Sequence, residues 1–248
     1  HGKTIEAILD IKAEKEARIE KLQNYDLYLE KLQKHLAAVE EKVDTLCGKI
    51  SGIRKDAAKV LSKQITEHLA ELNFLDVRFE IQMERLENYS ANGYDETEYM
   101  IAVNVGESLK PLAKVASGGE LSRVMLALKT VLADKDEVES IIFDEIDTGI
   151  SGRTAQKVSE KMALIGRNRQ VICITHLPQI ASMADAHFQN EKTVQGQITT
   201  TGIRRLKEAE QVTELARMLG GVEITEKVLE NAQEMKQQAK ELKAKNCQ

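Results

Sequence analysis

The chain has 248 residues, room for one large domain or two modest ones. Its 35 Lys and Arg against 40 Asp and Glu give a formal charge of −5, so no global basic character marks a nucleic-acid coat, although a local patch can still meet phosphates. Charged residues make up 30% and aromatics 4%, with no Trp, which argues for solvated, helix-rich structure and against an all-β sandwich.

The N-terminus, His1-Gly2-Lys3-Thr4, shows no signal peptide and no initiator Met, as expected of a fragment or a processed chain. Residues from about 3 to 66 read as one long helix. Leu22, Leu29, Leu36, Val43 and Ile50 fall seven apart, and Tyr25, Leu32, Val39, Leu46 and Ile53 follow each by three. Lys and Glu crowd the other positions. Five successive heptads keep one narrow apolar seam facing a partner helix, which specifies a coiled coil on the order of 90 Å long at about 1.5 Å per residue. Gly48 and Gly52 fall off the seam and weaken the helix by about 1 kcal/mol each without breaking the repeat. Upstream, Lys15 and Arg18 would occupy seam positions, so the register is expected to fray or change there. No second heptad helix of comparable length occurs in the chain, so the partner is another copy or a segment outside it. The plainer reading is an amphipathic helix packed on a globular core.

Composition changes after about residue 66. Phe79 to Leu86 and Glu98 to Val105 are β-rich runs separated by the turn-forming Ser90-Ala91-Asn92-Gly93, which predicts a hairpin or two edge strands. Ser117-Gly118-Gly119 precedes a helical run from Glu120 to about Leu132. A short apolar strand, Ser140 to Phe143, ends in Asp144-Glu145; a helix from Thr154 to about Ile165 leads to a second apolar strand, Gln170 to Thr175, ending at His176. Strand, helix, strand is the pattern of a parallel sheet with a crossover helix. A polar strand pair near 186–206 and helices near 209–219 and 224–243 complete the chain. Cys47, Cys173 and Cys247 match neither a zinc spacing nor a disulfide framework and read as free thiols of a reducing cytosol. No run of about 18 apolar residues is present.

Three segments carry chemistry. Ser117-Gly118-Gly119-Glu120 places two glycines at a helix entrance, where backbone can approach a ligand and the first amides point outwards along the positive end of the dipole, a phosphate-binding arrangement. On its own the same tetrapeptide is more often a plain N-cap. Asp144 and Glu145 stand at the carboxyl end of an apolar strand, the edge where open α/β sheets bind ligands. Asp144 is suited to Mg²⁺ through oxygen ligation, and Glu145 to orienting or deprotonating an attacking water; acids at strand ends also serve as caps. His176, at the same edge if the two strands are parallel neighbours, can donate to a phosphate oxygen, although lone histidines at strand ends are usually structural.

In order and spacing these segments resemble the ABC ATPase pattern of signature loop, helix, Walker B strand with an added Glu, D-loop, helix and switch-histidine strand, with Asp147 where that superfamily has its D-loop Asp. Within it, Ala116-Ser117-Gly118-Gly119-Glu120-Leu121-Ser122-Arg123, Phe143-Asp144-Glu145-Ile146-Asp147-Thr148-Gly149-Ile150-Ser151-Gly152, Thr175-His176-Leu177-Pro178-Gln179-Ile180-Ala181 and Ala216-Arg217-Met218-Leu219-Gly220-Gly221 resemble the RecN family, bacterial recombination and repair proteins related to structural-maintenance-of-chromosomes ATPases. The resemblance implies an α/β fold, the C-terminal part of an ABC-type head (67–248) with a long coiled-coil arm (1–66). It implies catalytic Glu145 and His176, Asp144 at the metal, and Ser117, Gly118, Gly119, Glu120 and Asp147 at the nucleotide. ATP and Mg²⁺ are the expected ligands. Expected partners are DNA, a second copy meeting through heads or coiled coil, and the N-terminal half of the same protein. The implied setting is double-strand break repair in the bacterial cytoplasm, at the nucleoid. No Gly-x-x-x-x-Gly-Lys-[Ser/Thr] occurs in the chain, so the Walker A cradle and the second stalk helix are expected from that other half, and this chain alone is expected to hydrolyse ATP negligibly. Open alternatives are a coiled-coil scaffold with a non-hydrolysing head, another chromosome-maintenance ATPase, and a DNA-binding module using Lys161, Arg167, Arg169, Arg204 and Arg205.

Overall fold

The computed structural model describes residues 4–245 except 75, 116, 134, 136, 196, 197 and 222, with backbone alone at 193–195 and 198–199. Ala116 of the signature segment, His1 to Lys3 and Cys247 thus lie outside the described residues. The chain forms two compact units, His1–Ala57 with Met83–Glu96, and Ala58–Gln82 with Thr97–Gln248.

In the first unit the expected single helix is two: α1, Ile5–Gln23, and α2, Tyr25–Ala70, which continues into the second unit. Asn24 interrupts them with φ −109 and ψ 29, its backbone N–H donating to Glu20 O at 3.0 Å and its side-chain amide to the same carbonyl at 3.3 Å. Asn competes locally for backbone acceptors, and the break falls where the heptad register begins. Along the seam Leu22, Tyr25, Leu32, Leu36, Val39, Leu46, Ile50 and Ile53 are exposed. A different face, carrying Cys47, Ser51 and Arg54, holds the tip of the hairpin formed by β1, Arg78–Ser90, and β2, Gly93–Ala102. Arg54 pairs with the buried Asp95 at 2.9 Å. A hydrogen bond from Ser51, then Arg54, holds that carboxyl below its usual range. Arg85 pairs with Asp44 at 2.6 Å and lies over the Tyr94 ring at 4.3 Å. The heptad pattern therefore names one face of this helix and misses a second.

The second unit gathers a main core and a smaller cluster. Ile65, Leu69 and Leu72, at and after the end of α2, pack with Phe74, Phe79 and Ile101, with Val124 and Leu128 of α3, Gly118–Val131, and with Ala155, Val158 and Met162 of α4, Gly152–Ile165. β3, Lys110–Pro111, pairs antiparallel with β2. β4, Ser140–Phe143, and β5, Gln170–Cys173, pair in parallel with Ser140 opposite Gln170 and Phe143 opposite Cys173. Their residues alternate as strands must: Ile141, Phe143, Val171 and Cys173 join the core, while Ile142, Ile172 and Ile174 are exposed by 67%, 45% and 63% on the opposite face. α5, Pro178–Ala181, the β6–β7 hairpin (Phe188–Gln195, Ile198–Arg205), α6, Glu208–Gly220, and α7, Glu226–Lys245, follow. α6 and α7 close on a smaller cluster around Leu215, Ala216 and Ala232.

Among the five basic residues considered for DNA contact, Lys161 is corrected. It is buried, and its ammonium is held by Glu71 at 2.7 Å and by the His68 ring. Arg204 is engaged by Glu210 at 2.6 Å and Arg169 by the Ala133 carbonyl; Arg167 and Arg205 are exposed.

Candidate functional site

Because β4 and β5 run in parallel and in register, the residues that follow them leave the sheet at one edge. The pairing extends one step further, Ile174 N–H donating to Phe143 O at 3.2 Å. Asp144 thus leaves β4, and Ile174, Thr175 and His176 leave β5, at the same edge of the sheet. Asp144 is exposed, with Oδ1 accepting from Glu145 N–H at 3.0 Å, and its carbonyl accepts from the Ser122 hydroxyl of α3 at 2.8 Å. Glu145 takes φ +55, a left-handed conformation that costs a non-glycine residue on the order of 1 kcal/mol or more and gathers at functional sites. Its carbonyl accepts from Thr148 N–H at 3.1 Å, closing a tight acidic turn.

Asp147, in that turn, is buried at 4% exposure. One of its oxygens, Oδ2, receives the Thr175 hydroxyl at 2.6 Å, His176 N–H at 2.9 Å and His176 Nδ1 at 3.0 Å. The acid thus holds the histidine segment by backbone and ring together, while the imidazole itself is 75% exposed. A proton on Nδ1 facing the carboxylate leaves Nε2 as the ligand-facing atom, and Nε2 donates only when the ring is doubly protonated. Cys173, the last residue of β5, has its thiol pushed up to about 12 by burial and by the Asp147 and Asp144 charges, so it stays unreactive.

The start of α3 rests on the same turn. Ser117 is its N-cap, with φ −94 and ψ 122, and its hydroxyl accepts from Glu120 N–H at 3.4 Å. Ser117 and Gly118 are exposed and Gly119 is buried. A Cβ on Gly118 would stand 2.7 Å from Glu145 Oε2, and one on Gly119 would stand 3.0 Å from both Glu145 O and Thr148 Cβ. At Gly119 the backbone of the turn leaves little room for a side chain, and the approach sets a helix N-terminus against a carboxylate, a favourable arrangement for the dipole.

All eight residues expected from the sequence, Ser117, Gly118, Gly119, Glu120, Asp144, Glu145, Asp147 and His176, lie on these three connected segments. Three residues that hold the segments together were not singled out: Ser122, Thr175 and Arg123, whose Nη1 donates to Thr148 O at 2.8 Å. The signal for Arg123 was positional, since it falls on the buried stripe of α3 with Gly119 and Ala127. Among the described residues no cluster of three or more His, Cys, Asp or Glu forms a metal cage. Asp144 offers one exposed carboxylate, which fits a hard cation whose remaining ligands are phosphate oxygens and water.

No family model matches the chain. It is similar to the DNA repair protein RecN of Halalkalibacterium halodurans, 40% identical over 95% of this chain and 42% of that protein. It is similar also to the DNA repair protein RecN of Bacillus subtilis, 40% identical over 98% of this chain and 45% of that one. The chain spans somewhat under half the length of these curated relatives. Among solved structures, the Smc head domain with a coiled coil and joint from Pyrococcus yayanosii superposes with a TM-score of 0.52 at 18% identity, over 86% of this chain and 38% of that one, a likeness of fold.

Proposed function

Because the chain belongs to the RecN family and has the α/β fold of an ABC-type head portion with a long helix, we propose that it supplies the signature, Walker B and switch-histidine half of an ATP site in a DNA double-strand break repair protein. The carrying observation is the meeting of three distant segments: the buried Asp147 carboxylate ties the acidic turn to Thr175 and His176, and the Ser122 hydroxyl ties α3 to Asp144.

In this reading ATP is shared between two copies. Asp144 and Glu145 serve the nucleotide held by their own head, Glu145 by orienting or deprotonating the attacking water. Magnesium, held in part by Asp144, would neutralise phosphate charge. With both ring nitrogens protonated, His176 donates from Nε2 to a γ-phosphate oxygen, with Asp147 setting the ring. Ser117, Gly118 and Gly119, at the exposed entrance of α3, close over the γ-phosphate of the opposing copy, where outward amides and the helix dipole favour an anion. Head engagement on ATP and release on hydrolysis would then govern how the complete protein tethers DNA from its coiled-coil arm, residues 1–66, and lobe, 67–248.

The chain contains no Gly-x-x-x-x-Gly-Lys-[Ser/Thr] segment, so the phosphate cradle comes from the half outside it. The exposed face of Ile142, Ile172 and Ile174 supports this: covering each such side chain is worth about 1.5–3 kcal/mol. By itself the chain is expected to bind Mg-ATP poorly, and tight binding in a calorimetric titration would contradict this. The deciding variant is Glu145→Gln in the complete protein. Phosphate release should fall at least about 100-fold, while ATP-dependent dimers persist in sizing. Ordinary turnover by that variant would remove Glu145 from the role of base.

A further inference from the structure

Arg123 takes no part in the chemistry above, yet it carries a charge into the core at 7% exposure. Among the described residues its guanidinium meets no carboxylate at ion-pair distance; Glu120, on the same helix, attracts it from further away. Nη1 donates to Thr148 O at 2.8 Å, the guanidinium lies over the Phe74 ring at 5.3 Å, and Nε is buried without an acceptor. Burial pushes its pKa down from the ordinary arginine value. A half-satisfied buried cation destabilises a position that an apolar side chain of similar length would fill more comfortably.

The partners matter for where they stand. Thr148 belongs to the turn that carries Glu145 and Asp147. The helix of Arg123 begins at the exposed Ser117 and Gly118. Phe74 follows the end of α2 at Ala70 and shares a core with Leu69 and Leu72. One planar fork therefore touches the acidic turn, the signature helix and the segment leading out of the long helix.

We propose that Arg123 is a positioning residue that locks the Glu145–Thr148 turn to both α3 and the Phe74 segment, so that a shift of the turn on nucleotide engagement and a shift of the root of the long helix occur together. The inference rests on the ATPase reading above. The requirement is for a fork with a cationic face: Met fills the space with no N–H, and Lys keeps the charge without the planar surface that serves carbonyl and ring at once.

The test uses the complete protein, with Arg123→Met, Arg123→Lys and Phe74→Leu compared with the unsubstituted form. Arg123→Met should lower kcat for ATP about tenfold or more with KM within about twofold. Its urea midpoint should be unchanged or higher, because a poorly satisfied buried charge has gone. Arg123→Lys should recover part of kcat, and Phe74→Leu should lower it in the same direction by a smaller factor. A residue that only fills the core gives the opposite pattern: a lower midpoint, with kcat falling only in proportion to the folded fraction. Normal kcat in Arg123→Met, beside an active unsubstituted protein, overturns the proposal and leaves the ATPase reading standing. Normal kcat in Phe74→Leu with a slow Arg123→Met removes the link to the helix root, and with it the proposal as stated. No ATP turnover in the unsubstituted complete protein overturns both readings.

Discussion

Asp147 concentrates three donors on a single oxygen inside the protein. Asp147→Ala leaves the Thr175 hydroxyl and the His176 amide without that acceptor, and should destabilise the chain by about 3 kcal/mol, read as a lower urea midpoint. A midpoint within experimental error of the parent would show that the histidine segment is held some other way. Gly119→Ala tests the close approach of α3 to the acidic turn. With backbone and a Thr148 carbon 3.0 Å from the new methyl, either the helix or the turn must move, at about 1–3 kcal/mol. A variant of unchanged stability would mean the two elements slide apart freely. At this scale the motif order in the chain singled out candidate residues that the fold gathers, but not the contacts each of them makes. Asp147 reads as a ligand-binding acid because D-loop position says nothing of which way a carboxylate turns; its burial behind His176 follows from the packing of β5 against the turn.

The end of α2 meets α4 through a buried polar group. Lys161 is held by Glu71 and His68. Burial first, and then repulsion by Lys161, lowers the His68 pKa below its ordinary 6.5. The hydrogen bond from Lys161 chiefly lowers that of Glu71 below 4.5. The unfolded chain therefore protonates both groups before the folded one does. The His68 contribution is complete above about pH 6.5 and is lost as pH falls towards its folded value; the Glu71 contribution is complete above about 4.5 and is lost below that. Urea midpoints measured from about pH 7 to 3 should fall in two stages, and Lys161→Met should remove most of the lower stage. A parent profile that is flat across this range would refute the assignment. For the elements themselves, periodicity was a good guide wherever one face met one partner: β4, α4 and β5 lie where the apolar runs put them. It was less complete for the long helix. A heptad count finds the exposed seam, whereas the Cys47, Ser51 and Arg54 face becomes an interface only because a hairpin 40 residues later in the chain returns to it, as in the Arg54–Asp95 pair, 41 residues apart.

Across the whole chain, one face of the β4–β5 pair remains open, with Ile142, Ile172 and Ile174 exposed, in a chain that matches 42% of the length of one curated relative and 45% of another. If the remaining part of the complete protein covers this face, amide hydrogen exchange at Ile141–Phe143 and Val171–Ile174 should slow when the two parts are produced together, and Ile142→Lys should abolish that protection. Equal exchange with and without the other part would leave the face as open surface. The rim residues would then need a different source of phosphate ligands.

Local chemistry was enough to single out the acids, the glycine pair, the histidine and the heptads as candidates, because capping, strand-end polarity and a 3.5-residue repeat act over a few neighbouring residues and leave their mark on the order of letters. Folding in three dimensions added what no local pattern carries: the parallel register that brings the ends of β4 and β5 to one edge, the burial of Asp147 and Arg123, and the capture of Lys161 at the end of α2. Those depend on contacts between residues 25 to more than 90 positions apart, where burial and unmatched hydrogen-bonding groups, not sequence spacing, set the arrangement.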